Sequence, residues 1–168
     1  VQFSFNCESG EKRECDAEEN AVAFVGALGY EGMKPVWSAE ADGIIYMNLC
    51  LEQEGVIVYP DMVKVKINAR DGHVIGCETF SYLLNHAQRT LKKPTLSAKE
   101  ISERDFGELE IESVRLALIP TPGGGERLTY EVYGKSEGEK FFVYADADTG
   151  AQVRVLMVVD GEQGELLI

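Results

Sequence analysis

Positive charge is scarce in this chain: 16 Lys and Arg stand against 29 Asp and Glu in 168 residues, a formal net charge of −13. So acidic a surface repels nucleic-acid phosphates and anionic lipid head groups, which argues against both as general partners. Long apolar runs are missing too. No stretch of about 18 apolar residues occurs, so no segment of this sequence reads as a membrane-spanning helix. The chain opens on Val1 rather than Met, so any leader or anchor is expected upstream, and its absence assigns no compartment. Histidine is limited to His73 and His86, and none of the four cysteines, Cys7, Cys15, Cys50 and Cys77, forms a Cys-x-x-Cys pair. Four cysteines allow three pairings, among which the sequence does not choose; buried thiols and a single disulfide in an exported protein both stay open.

What remains is ordinary material for a folded protein. Hydrophobic residues make up 45% and charged residues 27%, enough apolar surface for one large domain or two small ones. The charge is unevenly spread. Residues 1–79 hold 14 acidic and 6 basic side chains, residues 80–94 hold 0 and 3, and residues 95–168 hold 15 and 7. Two acidic blocks flank a basic stretch containing His86, Arg89, Lys92 and Lys93.

The order of elements repeats. Val1, Phe3, Phe5 and Cys7 alternate with polar residues as a half-buried strand does. Asp16 with Glu19 opens a helix over residues 16–28, with Ala21, Phe24, Val25 and Leu28 on one face and Gly29 as its stop. Strand patterns follow over residues 33–39, 44–53, 56–59, 62–68 and 73–79, and in the second of these Ile45, Met47, Leu49 and Leu51 share a face. In the second half, Ser97 with Glu100 opens a helix to about residue 106, and strands follow over 109–119, 127–135, 140–145 and 152–159. Helix starts lie 81 residues apart (Asp16, Ser97) and hairpin glycines 78 apart (Gly72, Gly150). Constant order at near-constant spacing predicts tandem modules. Between them Phe80, Leu83, Leu84, Ala87 and Leu91 recur at helical spacing, which predicts a connecting helix closed by Pro94.

The hairpins carry a resemblance. Asn68-Ala69-Arg70-Asp71-Gly72 and Asp146-Ala147-Asp148-Thr149-Gly150, each between two strands, resemble the closing signature of PepSY modules. Residues 82–94, Leu116-Ala117-Leu118-Ile119-Pro120 and Tyr130-Glu131-Val132-Tyr133 resemble the C-terminal region of the YpeB family of spore-germination proteins. The resemblance implies an α+β fold of tandem PepSY-like modules, each a helix packed on an antiparallel sheet. It further implies a non-catalytic protein outside the spore inner membrane, anchored by an upstream segment, that works with a cortex-lytic enzyme of the SleB type. PepSY modules also occur in peptidase propeptides, so a peptidase inhibitor is the alternative.

Several motifs invite chemistry and fail on detail. Asp148-Thr149-Gly150 spells the aspartic-peptidase triplet, but that reaction needs two carboxylates sharing a proton, and the first hairpin offers only Arg70-Asp71-Gly72. Gly72, Asp148, Thr149 and Gly150 are instead read as structural turn residues. As a calcium loop starting at Asp146, the chain would put Met157 where the bidentate Glu belongs. His73 and Cys77 on one strand stand roughly 13 Å apart, too far to share a zinc ion. No acid near His86 in sequence is placed to orient it as a base. Gly123-Gly124-Gly125 leads into a strand without the Lys-Ser/Thr of a phosphate loop. The seven tyrosines, Tyr30, Tyr46, Tyr59, Tyr82, Tyr130, Tyr133 and Tyr144, are expected on sheets with hydroxyls outward, some in a binding surface.

The expected organisation is therefore residues 1–9 as the tail strand of an upstream module, 10–79 as module 1, 80–94 as a basic connector and 95–168 as module 2. No catalytic, cofactor or metal residue is assigned. The protein-binding candidates are His86, Arg89, Lys92 and Lys93, the grouped cations of an acidic chain.

Overall fold

The helix-opening and turn signals fall where the backbone uses them. The computed structural model describes residues 2–4, 16–161 and 164–167, so Cys7, Cys15 and most of the expected first strand lie outside the described residues. The chain divides into two units, residues 1–53 with 58–87, and residues 54–57 with 88–168. Both are α+β.

In the first unit, the Asp16 carboxylate accepts the Glu19 amide hydrogen at 3.0 Å and opens α1 (Ala17–Ala27). This satisfies one of the donors a helix start leaves orphaned. At the other end Gly29 takes φ +92°, its N–H donates to Gly26 O at 2.9 Å and the Tyr30 N–H to Val25 O at 3.0 Å. That pair of bonds is the glycine closure of a helix C-terminus. Ala21 and Val25, one turn apart, are buried against Met47, Leu49, Val63, Val65, Ile67 and Cys77. These come from β3 (Ile44–Gln53), β4 (Val56–Asn68) and β5 (Val74–Glu78); β2 (Met33–Ala41) pairs with β3, and β1 (Gln2–Ser4) with β5, all antiparallel. Ile45 and Leu51 pack on the same core, so the period-two reading of β3 holds. Each Val, Leu, Ile or Met side chain fully buried in this core contributes about 1.5–3 kcal/mol. Cys50 and Cys77 are both buried thiols.

The break expected near Pro60 is absent: β4 runs unbroken from Val56 to Asn68. Pro60 is buried within it, its carbonyl accepting from Asn85 Nδ2 at 3.4 Å.

The second unit opens with a complete capping box. The Ser97 N–H donates to Glu100 Oε2 at 2.8 Å and the Glu100 N–H to Ser97 Oγ at 3.2 Å. The helix, α3 (Ala98–Ser102), stops short of the expected residue 106. The Ser102 hydroxyl donates back to Lys99 O at 2.8 Å and the Asp105 carboxylate accepts from the Gly107 N–H at 2.8 Å, side chains competing with the helix for backbone groups. A meander follows: β6 (Glu110–Pro120), β7 (Glu126–Ser136), β8 (Glu139–Asp146), β9 (Gln152–Gly161) and β10 (Gly164–Leu167). Ile101 of α3 sits on Tyr130, Val132, Val143, Ala145 and Ala147.

Polar groups are buried in this sheet. Glu131 is 2% exposed; Arg115 Nε donates to its Oε1 at 2.7 Å and the Tyr144 hydroxyl to its Oε2 at 2.9 Å. The Tyr130 hydroxyl donates to Leu96 O at 2.8 Å. These two hydroxyls point to protein acceptors rather than to solvent, because an aromatic packed this deeply needs a partner for its O–H.

The repeat is deepest at the closing turns. Gly72 donates to Asn68 O and Gly150 to Asp146 O, both at 2.8 Å; Asn68 donates to His73 O at 2.9 Å and Asp146 to Ala151 O at 2.8 Å. The side-chain oxygen at the head of each turn caps it: Asn68 Oδ1 accepts from the Arg70 N–H at 3.0 Å, and Asp146 Oδ1 from the Asp148 and Thr149 N–H groups at 3.1 and 2.9 Å. Gly72 and Gly150 take φ +72° and +71°, a region that penalises side chains. A second shared turn escaped the sequence reading. Glu54-Gly55 and Glu137-Gly138 both have positive φ throughout (53°, 79°; 51°, 88°), the type I′ geometry of a two-residue hairpin.

Two predictions follow from these turns. Gly150→Val is expected to destabilise the second unit by about 1–3 kcal/mol, from forced positive φ, while Asp148→Asn melts like the parent; an unchanged melt for Gly150→Val refutes the turn assignment. The amide hydrogen of Thr149 holds the Asp146 carboxyl below its ordinary 3.8. A depressed carboxylate stabilises the fold above its unfolded value, and the contribution is lost as pH falls through the folded value. Asp146→Asn, which reproduces the head of the first turn, is therefore expected to lag the parent near neutrality and to close the gap as pH falls below 3.8 and through the depressed folded value. Melting curves across that range decide it.

A third concerns Gly134, which lies opposite an irregularity in β6 between Ile111 and Ser113. A Cβ there would stand 2.4 Å from Glu110 O, a backbone atom that has no rotamer to escape into. Gly134→Ala is expected to lower stability by about 1–3 kcal/mol, the usual penalty of overpacking, read from urea denaturation.

Candidate protein-binding site

The basic stretch after the first sheet is built unlike its expected form. Its helix, α2 (Phe80–Asn85), has six residues and no side-chain N-cap, although the Glu78 carboxylate accepts from the Phe80 N–H. His86 leaves the helix at ψ 123°, so Ala87 and Leu91 fall outside it. What stops the helix is tertiary. His86 Nδ1 is hydrogen-bonded at 2.6 Å to Oδ2 of Asp61, a β4 side chain that is 0% exposed. An acid does orient His86; it lies 25 residues away, where spacing along the chain gave no sign of it. The Tyr82 ring stacks on His86 at 4.4 Å and 11°, and meets Tyr30 edge-on at 4.8 Å. Together with the Asn85 bond to Pro60, these contacts fix one side of α2 to the first unit.

The opposite side is bare and apolar. Phe80, Leu83 and Leu84 are 65%, 60% and 66% exposed, at positions i, i+3 and i+4 of one helix. The helical spacing was legible in the sequence; the exposure of these side chains was not.

Of the four binding candidates, two are engaged internally. His86 holds Asp61. Arg89, only 8% exposed, forks onto Glu126 with Nε and a terminal nitrogen 2.7–3.1 Å from the carboxylate, so it is compensated rather than a bare cation. Lys92 and Lys93 are exposed. Asp148 does more than shape its turn: its Oδ1 accepts from Thr95 N at 3.2 Å and Thr95 Oγ1 at 2.6 Å, clasping the segment that leads into α3. Among the described residues, no three His, Cys, Asp or Glu side chains gather as a metal site requires. No helix among them is long and apolar enough to cross a membrane.

Residues 12–92 match the family model described as YpeB sporulation, PepSY1 and PepSY2 domains, and residues 97–156 the model described as peptidase propeptide and YPEB domain. The chain carries PepSY modules of the YpeB type. Sporulation protein YpeB of Halalkalibacterium halodurans is 34% identical over 147 residues, and that of Bacillus subtilis 29% over 149; each match covers 88% of this chain and 33% of the relative. The chain thus spans about a third of those relatives. The fold is similar to the Bacillus megaterium YpeB C-terminal domain, with TM-score 0.80 and 27% identity over 94% of this chain and 71% of that one. YpeB and PepSY domains are generally non-catalytic, and the relatives' names support a spore-related function.

The Asp61–His86 contact generates a prediction. His86→Ala removes the 2.6 Å hydrogen bond to a buried carboxylate and is expected to cost about 1–3 kcal/mol. His86→Gln, which keeps a donor, recovers part of that. Urea denaturation of both variants checks it, and equal loss in both would mean the ring packing, not the hydrogen bond, supplies the stability.

Proposed function

We propose that this chain is a non-catalytic protein-binding part of a YpeB-like spore-germination protein, stabilising or regulating a cortex-lytic enzyme of the SleB type. The observation that carries the reading is α2: three exposed apolar side chains on a helix whose hidden side is pinned by Asn85, His86 and Tyr82. A soluble domain has no packing reason to leave such a stripe uncovered. The motifs that resemble catalytic sites support the same reading, since Asp146 and Asp148 spend their oxygens on backbone and Thr95 donors. In keeping with the YpeB resemblance, we place the protein on the outer side of the spore inner membrane, anchored through a segment outside this chain. The description of the second family model favours one alternative, a propeptide-like peptidase inhibitor.

Titration of the chain with a purified SleB-type enzyme, alongside inhibition assays on a panel of peptidases, separates the two. The expected result is saturable binding to the lytic enzyme and no inhibition of the peptidases; the reverse pattern moves the assignment to the inhibitor. Charge variants refine it. Lys92→Glu with Lys93→Glu is expected to leave the melt within about 1 kcal/mol, because both side chains are exposed, while slowing association and reducing its salt dependence. Arg89→Glu sets two carboxylates against each other at Glu126 and is expected to lower the melting temperature instead.

A further inference from the structure

We infer that the sheet face of the first unit turned away from α1 seats carboxylates of an extended acidic segment of a partner protein on Lys64, Lys66 and Tyr46. The surface is separate from the α2 stripe, and the inference names the chemistry it accepts.

Equivalent positions of the two modules, filled differently, point to it. In the second module Tyr144 stands two residues before the turn head Asp146 and Arg154 four after the turn glycine Gly150, and the two pair across β8 and β9. Tyr144 pairs in turn with Glu131, and Glu131 with Arg115. The acid of this row is satisfied from both sides. Arg115 Nε donates to its Oε1 at 2.7 Å and the Tyr144 hydroxyl to its Oε2 at 2.9 Å. In the first module Lys66 stands two residues before Asn68 and Gly76 four after Gly72, and these pair as well. Tyr46 lies beside Lys66, whose ammonium is 5.5 Å from the ring centroid, and pairs with Ala39. This row keeps a cation and a phenol, the donor pair that holds Glu131 in the other module, but contains no carboxylate.

The face is open and locally positive. Met47 and Leu49 of β3 and Val63, Val65 and Ile67 of β4 turn to the core under α1, so Tyr46, Lys64 and Lys66 turn the other way. Both lysines are exposed, and Tyr46 is 37% exposed. Among the described residues neither lysine forms an ion pair. Glu78 is the cross-strand neighbour of Lys64, but its carboxylate accepts from the Phe80 N–H at the start of α2. Two lysines two positions apart on a strand stand about 6.6 Å from each other, and an extended segment repeats its side chains on one side at the same interval. A Glu-x-Glu run therefore matches both ammonium groups. The net charge of −13 does not prevent this contact, because at physiological salt exposed charges more than about 8 Å away are largely screened.

The test uses the full chain and three peptides of about ten residues, the length of a long strand, that alternate Thr with Glu, Gln or Lys. Lys64→Gln with Lys66→Gln removes the charge of the seat; both side chains are exposed, so the variant is expected to melt like the parent. Arg70→Gln with Lys99→Gln, also exposed, makes the same change of net charge elsewhere and is expected to bind like the parent. The parent is expected to bind the Glu peptide at least about tenfold more tightly than it binds the Gln or Lys peptide, and at least about tenfold more tightly than the Lys64 and Lys66 variant does. Equal binding of the Glu peptide by parent and variant overturns the inference. Equal binding of the Glu and Gln peptides by the parent overturns it too, since charge then selects nothing. An equal loss in both double variants leaves net charge alone and has the same consequence. So does a short oligothymidylate that binds the parent more tightly than the Glu peptide and is lost in the variant, because ring and lysines then serve a nucleic acid. Should the Gln variant melt below the parent, Lys64→Arg with Lys66→Arg keeps the charge and decides, retained binding upholding the seat and lost binding overturning it. Titration with the SleB-type enzyme separates this inference from the functional reading. If the enzyme binds and the Glu peptide does not, the protein-binding role stands and the seat falls. If the peptide binds and the enzyme does not, the seat stands and the functional reading falls.

Discussion

The Asx-Ala-x-x-Gly turn is the joint on which each module depends. Its glycine, at positive φ, lets the chain reverse within five residues while the amide of that glycine bonds back to the carbonyl of the leading Asn or Asp. The leading side chain caps the amides inside the loop, so the turn closes without stranding a donor. The joint then reaches outward. In the first unit Asn20 of α1 donates to Gly72 O at 3.1 Å; in the second, Leu96 N donates to Ala147 O at 3.1 Å, and Arg104 lies over Gly150 where a Cβ would collide with it. Helix and hairpin are fastened at the same few residues, which is why element order and spacing survive between modules whose sequences otherwise differ.

Those features are local, and local features were legible. Strand faces, helix starts at Asp16 and Ser97 and both closing glycines follow from period, capping chemistry and φ, all written within a few residues. What escaped joins residues far apart in sequence. His86 finds Asp61 at a separation of 25, Arg89 finds Glu126 at 37 and Thr95 finds Asp148 at 53. The Tyr-Glu-Val-Tyr pattern of β7 hides its buried acid for the same reason, because Glu131 looks outward until Arg115 and Tyr144 are brought across the sheet. The boundaries that moved, the early ends of α2 and α3 and the unbroken β4, moved where a side chain captured a backbone group or a distant element captured a side chain.

Charge acquires a different meaning once these partners are known. The basic stretch stood out because its cations seemed ungrouped with any acid. Arg89 proves to be forked onto Glu126 at a partly exposed position, where such a pair contributes about 0–1 kcal/mol. The surplus of acid remains. Part of it is structural, with Asp16, Asp71, Asp146, Asp148 and Glu100 all accepting backbone donors at helix starts and turns. Acids committed to such caps are poor candidates for proton transfer, which is the physical content of a non-catalytic reading.

The polar and aromatic pins under α2 then explain an arrangement that looks uneconomical. Burying Asp61 carries a desolvation penalty that an apolar residue would avoid, so stability alone does not account for it. What the His86 contact and the Tyr82 stack achieve is orientation: they hold a helix too short to stand alone with its polar and ring contacts inward and its apolar side chains outward. An apolar patch held rigid loses less on binding than one that must first be ordered. The module thus gives up fold stability on the underside of α2 to hold Phe80, Leu83 and Leu84 outward, which is the arrangement the proposed protein-binding role requires.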